Sequence, residues 1–269
     1  MFWKRLASGI VLVILAIILV GVGGVPLLFT VMLISLIGQH ELYRALSIDH
    51  KSISVIGYTA TVIYYMLVLF EGRAYMTAMI VGALMILMTA YVATFPEYKT
   101  EEITAAFFGV CYVSVMMSYL YLTRSLPDGK YLVWLIFLSS WGCDTLAYCS
   151  GMLFGRHKMV PKLSPRKTWE GAVGGVIGAC VLGLLFGSVL SPHMDAVQRP
   201  AMVCAFACGV GALISMIGDL AASAIKRNHD IKDFGTIIPG HGGILDRFDS
   251  LLFTAPAIYY AIQFINDFA

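Results

Sequence analysis

The sequence predicts an all-α integral membrane protein of about nine transmembrane helices, with its N-terminus in the cytoplasm and its C-terminus outside. Three observations lead there. Of the 269 residues, 59% are hydrophobic and 13% charged, whereas soluble domains carry about 25% charged residues. The apolar residues come in runs of about 20, the length that takes a helix across a hydrocarbon core of about 30 Å. Basic residues, finally, collect on one side of the implied topology: with about nine spans, only Arg73, Arg124, Lys130 and Arg199 of the 18 Lys and Arg fall on the far side, and cytoplasmic loops are the ones that accumulate these residues.

Spans are expected at about 6–23, 26–46, 53–70, 74–95, 103–123, 131–153, 170–190, 201–222 and 248–267. Met1-Phe-Trp-Lys-Arg5 followed by Leu6–Val20 has the outline of a signal peptide. The apolar run is too long for one, and it ends in Gly21-Val-Gly-Gly-Val-Pro26 with no small-x-small cleavage site, so it reads as a first spanning helix. Cys111, Cys143, Cys180, Cys204 and Cys208 lie well inside apolar runs and Cys149 near the end of one, the placement of small packing residues rather than of a disulfide framework. With a net charge of only +2, nothing suggests a bulk nucleic-acid binder, and what matters is where the charges sit. No internal repeat or inverted symmetry is visible, which weighs against a secondary transporter.

The halves differ in character. Residues 1–123 read as transmembrane scaffold, their charges lying in loops apart from Glu41 and Arg44 near a helix end. Residues 124–269 read as the catalytic region, with polar loops at 154–169 and 223–247 on the cytoplasmic side. The second loop mixes Lys226, Arg227, Lys232 and Arg247, cations for phosphate, with Asp219, Asp246 and Asp249 at its edges, hard oxygen ligands for a divalent metal. Both signs together suit a metal-bridged nucleotide phosphate. The glycines of Pro239-Gly-His-Gly-Gly243 let backbone approach a ligand closely and turn into the last helix. A solvated basic loop with a Gly-rich turn would carry much of the same composition.

Upstream, Asp144 lies deep in an apolar helix, where an ionised carboxylate is costly unless it meets a cation or a water-filled cavity. It shares a face with Ala147, Tyr148, Gly151 and Gly155. An interhelix hydrogen bond is the alternative reading. Asp219 shares a face with Gly211, Ser215 and Ser223, and at a helix edge it could instead reach water without further function. In Ser164-Pro-Arg-Lys-Thr-Trp-Glu-Gly171, Thr168 is placed as an N-cap, and Lys158, Lys162, Arg166 and Lys167 surround a helix start. That makes a phosphate cradle, or an anchor at the lipid headgroups. Gly171/Gly175, Gly174/Gly178 and Gly183/Gly187 have the four-residue spacing of helix packing.

Ser223, Lys226, Arg227, Lys232, Asp233, Gly235, Pro239, His241, Gly242, Gly243, Asp246, Arg247 and Asp249 fill a long spaced signature, and through it the chain resembles the CDP-diacylglycerol synthases, or phosphatidate cytidylyltransferases. The likeness continues in Ser164–Gly171 and in Asp144–Tyr148, Gly151 and Phe154-Gly155, covering about the C-terminal half. It implies that the phosphomonoester of phosphatidic acid attacks the α-phosphorus of CTP, with Mg²⁺ as cofactor and a second cation as an open alternative. Asp219 and Asp246 would be the leading metal ligands, with Asp144 and Asp249 completing an acidic cluster. Lys226, Arg227, Arg166 and Lys167 would bind phosphate, with Ser164, Thr168, Ser223, Lys232, Gly242, Gly243 and Arg247 lining the substrates. His241 would donate to a phosphate or shape its turn. The resemblance further implies a bacterial inner-membrane enzyme of phospholipid biosynthesis, working from the cytoplasmic face as a homodimer. Rival readings are a related CTP-dependent enzyme on an isoprenoid lipid, such as a CDP-archaeol synthase or a polyprenol kinase, and an anion or lipid transporter.

Overall fold

A computed structural model describes residues 2–238 and 242–268 of the chain. Its helices are α1 (Phe2–Val22), α2 (Gly24–Ala45), α3 (Ser52–Leu69), α4 (Met76–Ala93), α5 (Thr100–Arg124), α6 (Gly129–Phe154), α7 (Trp169–Leu190), α8 (Pro200–Asn228) and α9 (Leu245–Phe268). Among the described residues, the eight from α2 to α9 are long and apolar enough to cross a membrane, and α1 adds the shorter apolar stretch Val13–Val22. Large apolar side chains such as Ile17, Ile18, Val173, Ile177 and Leu185 point outward. In water that surface would be a liability, but a bilayer is their solvent. The chain is a mostly helical, multi-pass membrane protein.

It folds as two compact units, Met1–Ser118 with His229–Arg247, and Tyr119–Asn228 with Phe248–Ala269. The loop 223–247 is divided between them, its residues to Asn228 in the second unit and His229–Arg247 in the first.

In the first unit, α1 and α2 join through Gly23 and Gly24 at φ of 66° and 56°, a left-handed turn that a side chain would resist. The α2, α3 and α5 helices enclose a core of Tyr43, Ile48, Ile53, Ile103 and Ala106. Its buried polar groups satisfy one another. Gln39 Nε2 donates to the Tyr43 hydroxyl at 2.6 Å, which donates to the Ala106 carbonyl at 2.5 Å, while Thr61 donates to Gln39 Oε1 at 2.7 Å. A π-helical stretch, Val110–Val115, interrupts α5, and the Tyr65 hydroxyl donates to the Ser114 carbonyl within it at 3.1 Å. Such a wide turn loosens the regular ladder, so an outside donor is needed there.

The second unit is built on close helix packing. A Cβ at Gly175 would stand 2.8 Å from the Ala147 Cβ of α6, and one at Gly183 only 2.4 Å from the Cys204 carbonyl of α8. The glycine spacing therefore serves backbone approach, as the sequence suggested. Ser140 and Ser250 share a buried hydroxyl hydrogen bond of 2.7 Å.

Two helix ends and one loop differ from expectation. The α8 helix continues to Asn228, so Ser223, Lys226 and Arg227 sit on its last turns rather than in a loop, and α9 already begins at Leu245. These turns are too polar to register in a hydropathy window, yet they contain no helix breaker. Within 154–169, β1 (Lys158–Val160) and β2 (Ser164–Thr168) form an antiparallel hairpin, a small exception to the all-α class. Strands this short carry too little alternation to be read from sequence.

Candidate active site

In the second unit, Asp144, Asp219 and Lys167 converge. A second π-helical stretch, Leu138–Gly142, comes just before Asp144 in α6 and resets which way the following turn faces. Asp144 opens into a cavity of about 360 Å³, lined also by Ala147, Tyr148, Gly151, Lys158, Arg166, Lys167 and Thr168. This is the face expected from the sequence, now with its cations supplied by the hairpin. Lys167, on β2, forms an ion pair with the Asp219 carboxylate of α8, and Asp144 lies within electrostatic reach of both. Two acids and a lysine therefore share one recess, where the cation and open water keep a carboxylate in an apolar helix charged.

The hairpin is fixed at its base. Thr168 caps α7 as expected, its Oγ1 accepting from the Gly171 amide at 3.1 Å. Glu170 in the first turn accepts from the Arg156 amide at 3.1 Å and the His157 amide at 3.2 Å, and lies 2.6 Å from His157 Nδ1. Ser164 starts β2 opposite Val160, and Arg166 is exposed at the cavity mouth. Farther along α8, Ser223 lies one turn beyond Asp219, Lys226 stands 4.0 Å from Asp249, and Arg227 is exposed.

The first unit holds the rest of the signature. Asp246 is buried in the first turn of α9, and its Oδ2 accepts from the Phe234 amide at 2.8 Å and the Gly243 amide at 3.0 Å. This carboxylate shapes its own loop, a duty the sequence reading did not assign to it. Gly242 adopts φ of 85° and pairs with Ile238. Among the described residues, the Arg247 Nε is buried without a hydrogen-bond partner, a donor left over for an anion. Lys232 is exposed, and His241 lies outside the described residues.

Sequence reasoning missed Glu41 and Arg44, which it left to the scaffold. Both reach the signature segment: Glu41 accepts from the Ile244 amide at 3.0 Å and the Leu245 amide at 2.8 Å, and Arg44 donates to the Phe234 carbonyl at 2.7 Å. The available signal was an acid three residues before a base at the end of an apolar helix.

The donor chemistry suits Mg²⁺. Among the described residues no group of three or more His, Cys, Asp or Glu side chains is gathered as a metal cage. Mg²⁺ seldom uses one, being held through about one or two carboxylates together with water and substrate phosphate oxygens, and the Asp144–Asp219 pair beside a basic cavity meets that description.

The chain matches the description "Cytidylyltransferase family" over residues 3–265. It belongs to that family. A phosphatidate cytidylyltransferase of Bacillus subtilis (strain 168) is 30% identical over 271 residues, covering 98% of this chain and 98% of the relative. One from Staphylococcus epidermidis is 32% identical across 88% of this chain and 89% of its own length, and one from Rickettsia bellii is 36% identical over 56% and 66% respectively. As a cytidylyltransferase, the protein is a nucleotidyl-transferring enzyme, and both the acid-lysine recess and the signature loop fall inside the matched region.

Proposed function

We propose that this cytidylyltransferase joins phosphatidic acid to CTP, releasing pyrophosphate and making CDP-diacylglycerol for phospholipid biosynthesis. The observation that carries the reading is the likeness, along nearly the whole of both chains, to a relative named for that activity. An oxygen of the lipid phosphomonoester attacks the α-phosphorus of CTP, the bond from the α-phosphorus to its bridging oxygen breaks, and pyrophosphate departs with the electron pair. A phosphomonoester is already an anion near neutral pH, its second pKa being about 6, so no protein nucleophile or strong base is needed. The work left to the protein is alignment and charge neutralisation.

Lys167, Arg166 and Lys158 around the cavity attract the phosphates, and Lys226, Arg227 and Arg247 are the further cations for them. Asp144 and Asp219 are the carboxylates that would hold Mg²⁺, with Asp246 a third candidate from the signature loop. When bound, Mg²⁺ supplies positive charge against the phosphate oxygens. In this reading Lys167 exchanges its Asp219 partner for a substrate phosphate, which explains why a lysine and two acids share one recess.

The finer topology is part of the proposal: nine spans counting α1, the N-terminus inside, the C-terminus outside, and the site facing the cytoplasm of a bacterial inner membrane, where CTP is available. A homodimer is the assembly suggested by the family resemblance. In a variant whose native cysteines are replaced, a cysteine at Asn228 should be shielded from impermeant thiol reagents added outside intact cells, and one at Asp195 should react. Labelling at Asn228 from outside would reverse the orientation.

The test of activity is incubation of purified protein with α-labelled CTP and phosphatidic acid in mixed micelles. Label should enter the lipid phase in step with pyrophosphate release. No CTP-dependent lipid product, or a product formed only with an isoprenoid phosphate, would overturn the assignment.

A further inference from the structure

We infer that Glu41 is a positioning residue for nucleotidyl transfer, its carboxylate clamping the segment that presents Asp246; the inference rests on the function proposed above. Glu41 is 1% exposed, and a carboxylate in such a place carries a large desolvation cost that hydrogen bonds to its oxygens must offset. Each oxygen accepts one. Oε1 accepts the Ile244 amide and Oε2 the Leu245 amide, two donors at the start of α9 that the helix itself cannot satisfy, where the positive end of the helix dipole also favours an anion.

Two signature glycines make room for this carboxylate. A Cβ on Gly235 would stand 2.0 Å from Glu41 Oε1, and one on Gly243 would stand 2.4 Å from both oxygens. Gly243 does not have a positive φ, so its conformation does not call for glycine; the Glu41 carboxylate does. One turn along α2, Arg44 donates to the Phe234 carbonyl, while the amide of Phe234 donates to Asp246. The peptide groups flanking Phe234, whose side chain is 2% exposed, are thus held on one side by the scaffold and on the other by the acid being positioned. Packing alone would not call for a charge here, since an apolar side chain of the same volume would fill the space without desolvation. A carboxylate in this place fixes backbone donors at set positions.

The test compares wild type, Glu41→Gln, Glu41→Ala, Gly243→Ala and the Glu41→Ala/Gly243→Ala double variant, measuring kcat, KM for CTP and thermal midpoint in detergent. Glu41→Gln should lower kcat about 10- to 100-fold, as removal of a group orienting a site residue commonly does, and should leave KM for CTP within about threefold. Gly243→Ala should do the same, because its methyl group lands on the carboxylate. The double variant should be no worse than Glu41→Ala alone, since the methyl then has space, a non-additivity expected only of directly coupled positions. Wild-type kcat in Glu41→Gln, a kcat loss matched by loss of folded protein, or multiplying losses in the double variant would each overturn the clamp. If wild type itself makes no CDP-diacylglycerol, the functional reading falls, and the clamp is decided by trypsin cleavage after the exposed Lys232. Faster cleavage in Glu41→Gln than in wild type supports it, and equal rates refute it.

Discussion

The polar segment from Arg156 to Thr168 is held by its immediate neighbours, whereas the segment from His229 to Leu245 is held also by groups far away in the chain. In the first, Glu170 and Thr168 close a hairpin with bonds that reach back at most 14 positions. In the second, Glu41 anchors an amide 203 positions away and Arg44 a carbonyl 190 positions away. The difference teaches where disturbance should spread. A locally braced hairpin has several redundant ties, among them its own strand pairing. The signature segment is tied in addition by side chains from α2, and Asp246 is one of its ties as well as a candidate for the chemistry.

The largest effects should fall on the acids themselves. Asp219→Asn should cut kcat by about 100-fold or more, the scale of losing a group needed for charge stabilisation in transfer, with the thermal midpoint nearly unchanged because only an ion pair with a partly exposed lysine is lost. Asp246→Asn should cut activity as deeply and also destabilise the protein by about 1.5–3 kcal/mol, since two amides lose a charged acceptor. Equal melting of the two variants in detergent would erase the contrast between the regions.

Asp144 is expected to have an intermediate effect. Asp144→Asn should weaken turnover about tenfold and raise the Mg²⁺ concentration needed for half-maximal rate, because the amide keeps an oxygen but loses the charge. Asp144→Leu should additionally lower the thermal midpoint only if an interhelix polar contact, worth about 1 kcal/mol, is lost. A normal Mg²⁺ titration in the asparagine variant would remove Asp144 from the site.

The smallest effect should come from the local brace. Glu170→Gln leaves the Thr168 cap and the strand pairing in place, so kcat should change by less than about fivefold, as for most exposed ionic contacts. A collapse of activity comparable to that of Glu41→Gln would show that the local brace matters as much as the long-range clamp.

What the sequence by itself determined follows from chemistry that is local or periodic. Apolar runs declared the membrane helices, glycines four apart declared the packing of α7, and Thr168 declared its own cap, because each signal lies within a turn or two of the structure it dictates. The spaced signature likewise named the segment that carries Asp246. Other features were decided only by the tertiary structure. The π-helical stretches before Asp144 and within α5 leave no mark in composition. Lys167 meets Asp219, and Glu41 the start of α9, only once distant helices pack. Glu41 looked like one more charge at a helix end, and the reason Gly243 must be glycine lies in a side chain from the other end of the sequence, where no reading of neighbours along the chain could reach it.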